Sequence, residues 1–192
     1  MTLDLGLSVA AILILLVCSA FFSGSETALT ATSRARLTEL ERRGSLRARM
    51  VLTLTSMRER LIGALLLGNN VVNISASALA TLVLVRMFGD TGAVIASVIM
   101  TILVLIFGEV LPKTYAIANP DRAALAAAPL VRVIVAVFGP IVMAVEFIVK
   151  QVLRLFGVDI KASQNVLSAH AELRGAIDLH HREGGVVKGD RD

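Results

Sequence analysis

Glu109 is the residue whose presence most needs a reason. It lies in Phe107-Gly108-Glu109-Val110-Leu111-Pro112-Lys113, near the end of an apolar run that begins at about residue 92. An ionisable group at membrane depth costs roughly 2.5–3.5 kcal/mol on insertion scales, so it requires a partner or a task. Pro112 has no N–H and frees a carbonyl about one turn upstream, near Gly108. Two further polar stretches interrupt apolar runs: Ser23-Gly24-Ser25-Glu26-Thr27, and Gly68-Asn69-Asn70-Val71-Val72-Asn73-Ile74-Ser75. The candidate ligands are therefore the hydroxyls of Ser23 and Ser25, the amides of Asn69, Asn70 and Asn73, the Glu109 carboxylate, and backbone carbonyls at Gly24 and Gly108. All are hard oxygens, with no cysteine or histidine among them. Such donors suit magnesium, calcium, manganese or sodium and argue against zinc and copper. One carboxylate among neutral oxygens suits an ion held loosely enough to leave again, as transport requires.

Each motif also has a plain structural reading. Ser-Gly-Ser is a common small-residue packing face, and asparagines in membrane helices hydrogen-bond across to their neighbours. Glu109 can snorkel to the interface or pair with Lys113, its i+4 neighbour. The case for a site rests on three polar motifs on three separate apolar stretches at similar depth. At 1.5 Å per residue, Glu109 lies ~25 Å from the outer end of its helix, Ser23 to Ser25 lie ~27–30 Å from theirs, and Asn69 to Asn73 lie ~12–18 Å from the inner end.

Composition supplies the setting. The chain has 192 residues, 56% of them hydrophobic, with a formal net charge of +4 and a mean hydropathy of +0.78. That belongs to a membrane protein. Cys18 is the one cysteine, so no disulfide forms within the chain. No HExxH, GxSxG or P-loop pattern is present, and no histidine lies in an apolar span to activate a serine. An enzyme is not expected, and neither is nucleic-acid binding.

Three spans position the polar motifs: residues 5–31, 61–85 and 92–118, each long enough for a ~30 Å hydrocarbon core. The first reads as a retained span, with a kink or unwound turn at Gly24. Residues 33–60 carry eight arginines against three glutamates. They read as one surface helix, or two broken at Gly44-Ser45, on the cytoplasmic side, with the N-terminus outside. Residues 123–156 are apolar but hold Arg132, Gly139-Pro140 and Glu146. A single full span there would put the basic tail outside, so a cytoplasmic-side re-entrant or belt helical hairpin around Gly139-Pro140 is expected. Gly63, Ala76, Ser77, Ala78 and Ala80 are small enough for a dimer face. The tail from Asp159 reads as polar and helical, with His170, His180 and His181 solvated.

Phe21-Phe22-Ser23-Gly24-Ser25-Glu26-Thr27-Ala28, Leu67-Gly68-Asn69-Asn70-Val71-Val72-Asn73 and Phe107 to Lys113, in that order, resemble the transmembrane domain of the CorC / cyclin M (CNNM) family of magnesium transporters. The resemblance covers roughly Leu5 to Arg154. It implies a plasma-membrane homodimer of three-span protomers with the C-terminus cytoplasmic, and magnesium export driven by sodium entry. It also implies an ion site made by Ser23, Gly24, Ser25, Asn69, Asn70, Asn73, Gly108 and Glu109. The expected organisation is an all-α transport domain over residues 1–158, then the start of a cytoplasmic helical bundle at 159–192, truncated before the ATP-binding CBS domains of the family. The competing expectations are a sodium or broader divalent transporter, and a membrane anchor and dimerisation module whose polar motifs only pack helices.

Overall fold

A computed structural model describes residues 2–156, and every regular element among them is helical. Apolar runs in a membrane must satisfy their backbone within the segment, which dictates helices here. Helix α1 spans Thr2–Ala31, α2 Arg34–Arg42, α3 Leu46–Ser56, α4 Arg58–Phe88 and α5 Thr91–Leu103. A π-helical segment, Val104–Val110, joins α5 to α6 (Leu111–Ala118), and α7 spans Pro120–Leu155. Among the described residues, four stretches are long and apolar enough to cross a membrane: Leu5–Ala31, Arg58–Phe88, Thr91–Ala118 and Pro120–Leu155. The expected tail helix and its histidines lie outside the described residues.

Turn chemistry sets the boundaries. Gly44 (φ 89°) breaks the arginine-rich segment into α2 and α3, and Gly89 (φ 62°) separates α4 from α5. Both need the left-handed region that glycine enters without strain. Ser45 caps α3 by accepting the Ala48 N–H at 3.3 Å. Residues 34–56 therefore form two helices broken at Gly44-Ser45, while Arg58 to Arg60 open α4.

Two expectations are corrected. Helix α1 runs through Ser23-Gly24-Ser25 with no unwound turn. A glycine within a helix costs only about 1 kcal/mol, whereas each unpaired backbone group in hydrocarbon costs several. The hairpin at Gly139-Pro140 is likewise absent, because α7 is one helix of 36 residues with Pro129 and Pro140 inside it. A proline in mid-helix removes one hydrogen bond, but a turn exposes the unpaired ends of two helices.

The residues through Met143 form one compact unit, and those from Ala144 a second. In the first, α7 buries a stripe of Ala124, Ala127, Ala128, Val131, Val135 and Val142, at helical spacing. The stripe joins Leu37, Val51, Leu61 and Leu65 in the larger core cluster. A smaller cluster holds Leu16, Ala76, Ala80 and Met100. Small residues let these helices approach closely, which substitutes in lipid for hydrophobic driving force. Ala76 and Ala80 are thus consumed inside the chain, and a Cβ on Gly63 would lie 2.6 Å from the Val142 side chain. Of the proposed dimer face, Ala78 alone is left exposed and Ser77 half-buried. In the second unit, Lys150 Nζ lies 3.9 Å from Glu146 Oε2, one turn back.

Candidate ion site

Three elements bring the polar motifs together. Ser19 and Ser23, one turn apart, are fully buried on α1. Asn69 and Asn73 hold the same i, i+4 spacing on α4, and Gly108 and Glu109 sit on the π segment. The Ser19 hydroxyl donates to Asn69 Oδ1 at 3.0 Å. Asn69 Nδ2 in turn donates to Glu109 Oε1 at 3.3 Å. Lys113 Nζ lies 3.4 Å from Glu109 Oε2. A continuous polar chain therefore runs from α1 through α4 to the π segment and α6, and its carboxylate is shared between an amide and an ammonium.

The glycines make this approach possible. A Cβ on Gly108 would stand 2.7 Å from Ser19 Oγ. One on Gly24 would stand 3.4 Å from Pro112 Cβ and 3.5 Å from its carbonyl oxygen, so α1 lies directly against the proline. A Cβ on Gly68 would collide with the Phe22 ring. Each motif glycine marks a contact between helices.

Pro112 acts differently from expectation. The Leu111 N–H bonds the Ile106 carbonyl, five residues back. In that register the missing Pro112 N–H faces the Phe107 carbonyl, and in the ordinary helical register it faces that of Gly108. The freed acceptor is absorbed by a widened turn, and it is this turn that carries Glu109. Such π-bulges concentrate at functional sites.

Two buried acceptors are left over. Ser23 Oγ and Asn73 Oδ1 have no hydrogen-bond partner among the described residues. Buried polar atoms are almost always paired, and leaving one unpaired costs ~1–3 kcal/mol. Asn73 and Glu109 line one end of an open groove of ≈ 670 Å³ between α4 and α5, which continues past Ser77 and Thr81 on one wall and Ser97 and Thr101 on the other. No group of three or more His, Cys, Asp or Glu capable of holding a metal exists among the described residues. Any cation here would thus rest on a single carboxylate and neutral oxygens.

The chain matches the family profile described as Cyclin M transmembrane N-terminal domain over residues 10–190. It belongs to the cyclin M family. The inner membrane protein YfjD of Escherichia coli (strain K12), a UPF0053 protein, is 39% identical over 176 residues, covering 91% of this chain and 40% of that protein. A UPF0053 protein of Haemophilus influenzae is 33% identical over 166 residues, 86% of this chain and 39% of that protein. A chloroplastic DUF21 domain-containing protein of Arabidopsis thaliana is 29% identical over 177 residues. The chain spans about two fifths of the length of the first two relatives. Family and helices together make this a membrane protein.

Within this cyclin M domain the structure unites most, but not all, of the expected positions. Asn69, Asn73, Gly108 and Glu109 meet, with Ser23 one turn along α1 from Ser19. Ser25 is buried, at 4% exposure. Gly24 serves the contact with Pro112. Asn70 is exposed, 100° around α4 from Asn69, and shares no hydrogen bond with the others. The residue that the motifs did not flag is Ser19. Its signal was the i−4 spacing from Ser23, which puts both hydroxyls on one face of α1. Glu26 makes no ion pair with a described residue.

Proposed function

We propose that this domain binds Mg2+ as cargo between α1, α4 and the π segment and exports it by alternating access, coupled to sodium entry. The observation that carries the reading is the unpaired buried acceptor Asn73 Oδ1, which lines the same groove as Glu109. A cation beside Glu109 supplies what this oxygen lacks. Glu109 provides the charge, and serine and asparagine oxygens replace water around the ion. Loose binding follows from the single carboxylate. The arginine-rich α2 and α3 set this side as cytoplasmic under the positive-inside rule, with the N-terminus outside and protomers paired in the plasma membrane. ATP enters only through CBS domains of the wider family.

A second reading has its own support. The Ser19–Asn69–Glu109–Lys113 chain already satisfies its members across helices, as structural glue would. That favours an anchor and dimerisation module. Titration calorimetry with MgCl2 on the purified protein, beside Glu109→Gln and Asn73→Ala and at varied sodium, separates the two. Saturable binding weakened at least about tenfold in both variants supports the ion site. Wild-type binding that neither variant changes, or no binding at all, leaves the anchor. Tighter binding of sodium than of magnesium would redirect the assignment to a sodium site.

A further inference from the structure

A groove of ≈ 680 Å³ lies between α3 and α7 and shares no lining residue with the ion site. Its size falls in the ~300–1,000 Å³ range of ligand pockets. From α3 come Leu46, Arg49, Met50, Thr53 and Leu54, with Met57 just past its end. Their spacing of i, i+3, i+4, i+7, i+8, i+11 is one helix face. The wall from α7 repeats that spacing with Arg132, Val135, Ala136, Gly139, Pro140 and Met143. Arg60, in the first turn of α4, completes the lining.

Three cations and no carboxylate therefore face one cleft. None of Arg49, Arg60 and Arg132 forms an ion pair with a described residue, whereas Arg36 pairs with Asp121 and Arg43 with Glu39. Apart from Thr53 the rest of the lining is apolar, with three methionines among it, side chains that adapt to irregular guests. Gly139 keeps the α7 wall open, since a Cβ there would meet nothing within 4 Å. Pro140 has no N–H for the Ala136 carbonyl, which leaves an acceptor on the same wall. Arg60 immediately precedes Leu61, where the apolar part of α4 begins, so this arginine stands at the edge of an apolar stretch and the groove is continuous with apolar surface. Exposed Met143 and Ile141 extend that surface.

We propose that this groove is a binding site for one anionic phospholipid, its phosphate held by Arg49, Arg60 and Arg132 and its acyl chains laid over Val135, Gly139 and Met143. Guanidinium groups match phosphate oxygens in fork geometry, and a soluble anion has no use for the apolar floor. The site is independent of the ion reading, because it shares no residue with it.

Native mass spectrometry of the delipidated full chain in detergent tests the proposal, with phosphatidylglycerol and phosphatidylcholine as probes. One phosphatidylglycerol per chain is expected on the wild type, in preference to phosphatidylcholine. The triple variant Arg49→Gln/Arg60→Gln/Arg132→Gln should bind it about a hundredfold more weakly, a factor of about five for each arginine. Gly139→Leu should weaken it with no change of charge. The control Arg34→Gln/Arg42→Gln/Arg47→Gln should leave it unchanged, and triple lysine replacement should restore most of it. Folding of each variant is checked by monodisperse elution and thermal unfolding. Equal lipid binding by wild type and groove variants overturns the proposal. So does an equal loss in the control, or displacement by inorganic phosphate at matched concentration.

Discussion

Lys113 and Gly108 define how Glu109 is poised. The ammonium of Lys113, 3.4 Å from Glu109 Oε2, is a tethered cation where a free one would sit. Both side chains are about two fifths or one third exposed, 43% and 35%, so water screens the pair. If Glu109 holds an ion, Lys113 competes with it and speeds release. Lys113→Gln is then expected to tighten cation binding about fivefold in calorimetry, while Lys113→Arg stays near wild type. Gly108→Ala acts from the other side. Its methyl would displace Ser19 Oγ, the movable end of a side chain, and the bond to Asn69 would break. Thermal unfolding should report a loss of only about 1 kcal/mol, the net worth of one hydrogen bond, while ion binding falls by a larger factor. In the double variant with Ser19→Ala the stability losses should be less than additive, because both remove the same bond.

At the scale of elements, the widened turn and the glycine contacts decide geometry. Pro112 removes the donor that an ordinary helix needs, and the chain answers with the π segment Val104–Val110. Pro112→Ala restores that donor and favours the tighter register, which turns Glu109 relative to Asn69. The expected outcome is equal or higher thermal stability with ion binding lost, the reverse of a damaged core. Gly92 behaves differently. A Cβ there would run into the Leu84 carbonyl, which is backbone and cannot swing aside. Gly92→Ala should therefore destabilise the α4–α5 connection by at least about 3 kcal/mol, read as lost folded yield and a lowered Tm.

At the scale of the whole molecule, one carboxylate joins the start of α7 to the α1–α2 junction. Asp121 accepts the Thr32 hydroxyl at 2.6 Å and pairs with Arg36 at 3.0 Å. It is 19% exposed, so part of this attraction escapes screening. Asp121→Ala should lower thermal stability by about 1–2 kcal/mol, and Asp121→Asn by less, because the amide oxygen still accepts from Thr32. Membership of the cyclin M family extends over nearly all of the chain, yet the groove between α3 and α7 depends on this packing of α7.

How much was legible varies with the physics involved. The helical class, the apolar stretches and the break at Gly44-Ser45 follow from hydropathy and glycine conformation, which act locally. The convergence of Asn69, Asn73, Gly108 and Glu109 was also legible, because polar groups deep in apolar helices must find one another. Local reasoning failed where a helix could choose between breaking and bearing a small penalty. Gly24 and Gly139-Pro140 read as breaks, but in apolar surroundings the hydrogen bonds of an unbroken helix outweigh a glycine or a proline. Ser19, an unremarkable serine in an apolar run, became part of the site only because Gly108 lets the π segment reach it. Asn70 lies 100° around α4 from Asn69, outside this hydrogen-bonded chain. Hydropathy, a local property of the chain, dictates which segments are helical and which polar groups lie within them. Which of those groups are buried and face one another is settled by packing, because register and close approach depend on contacts between helices far apart in the chain.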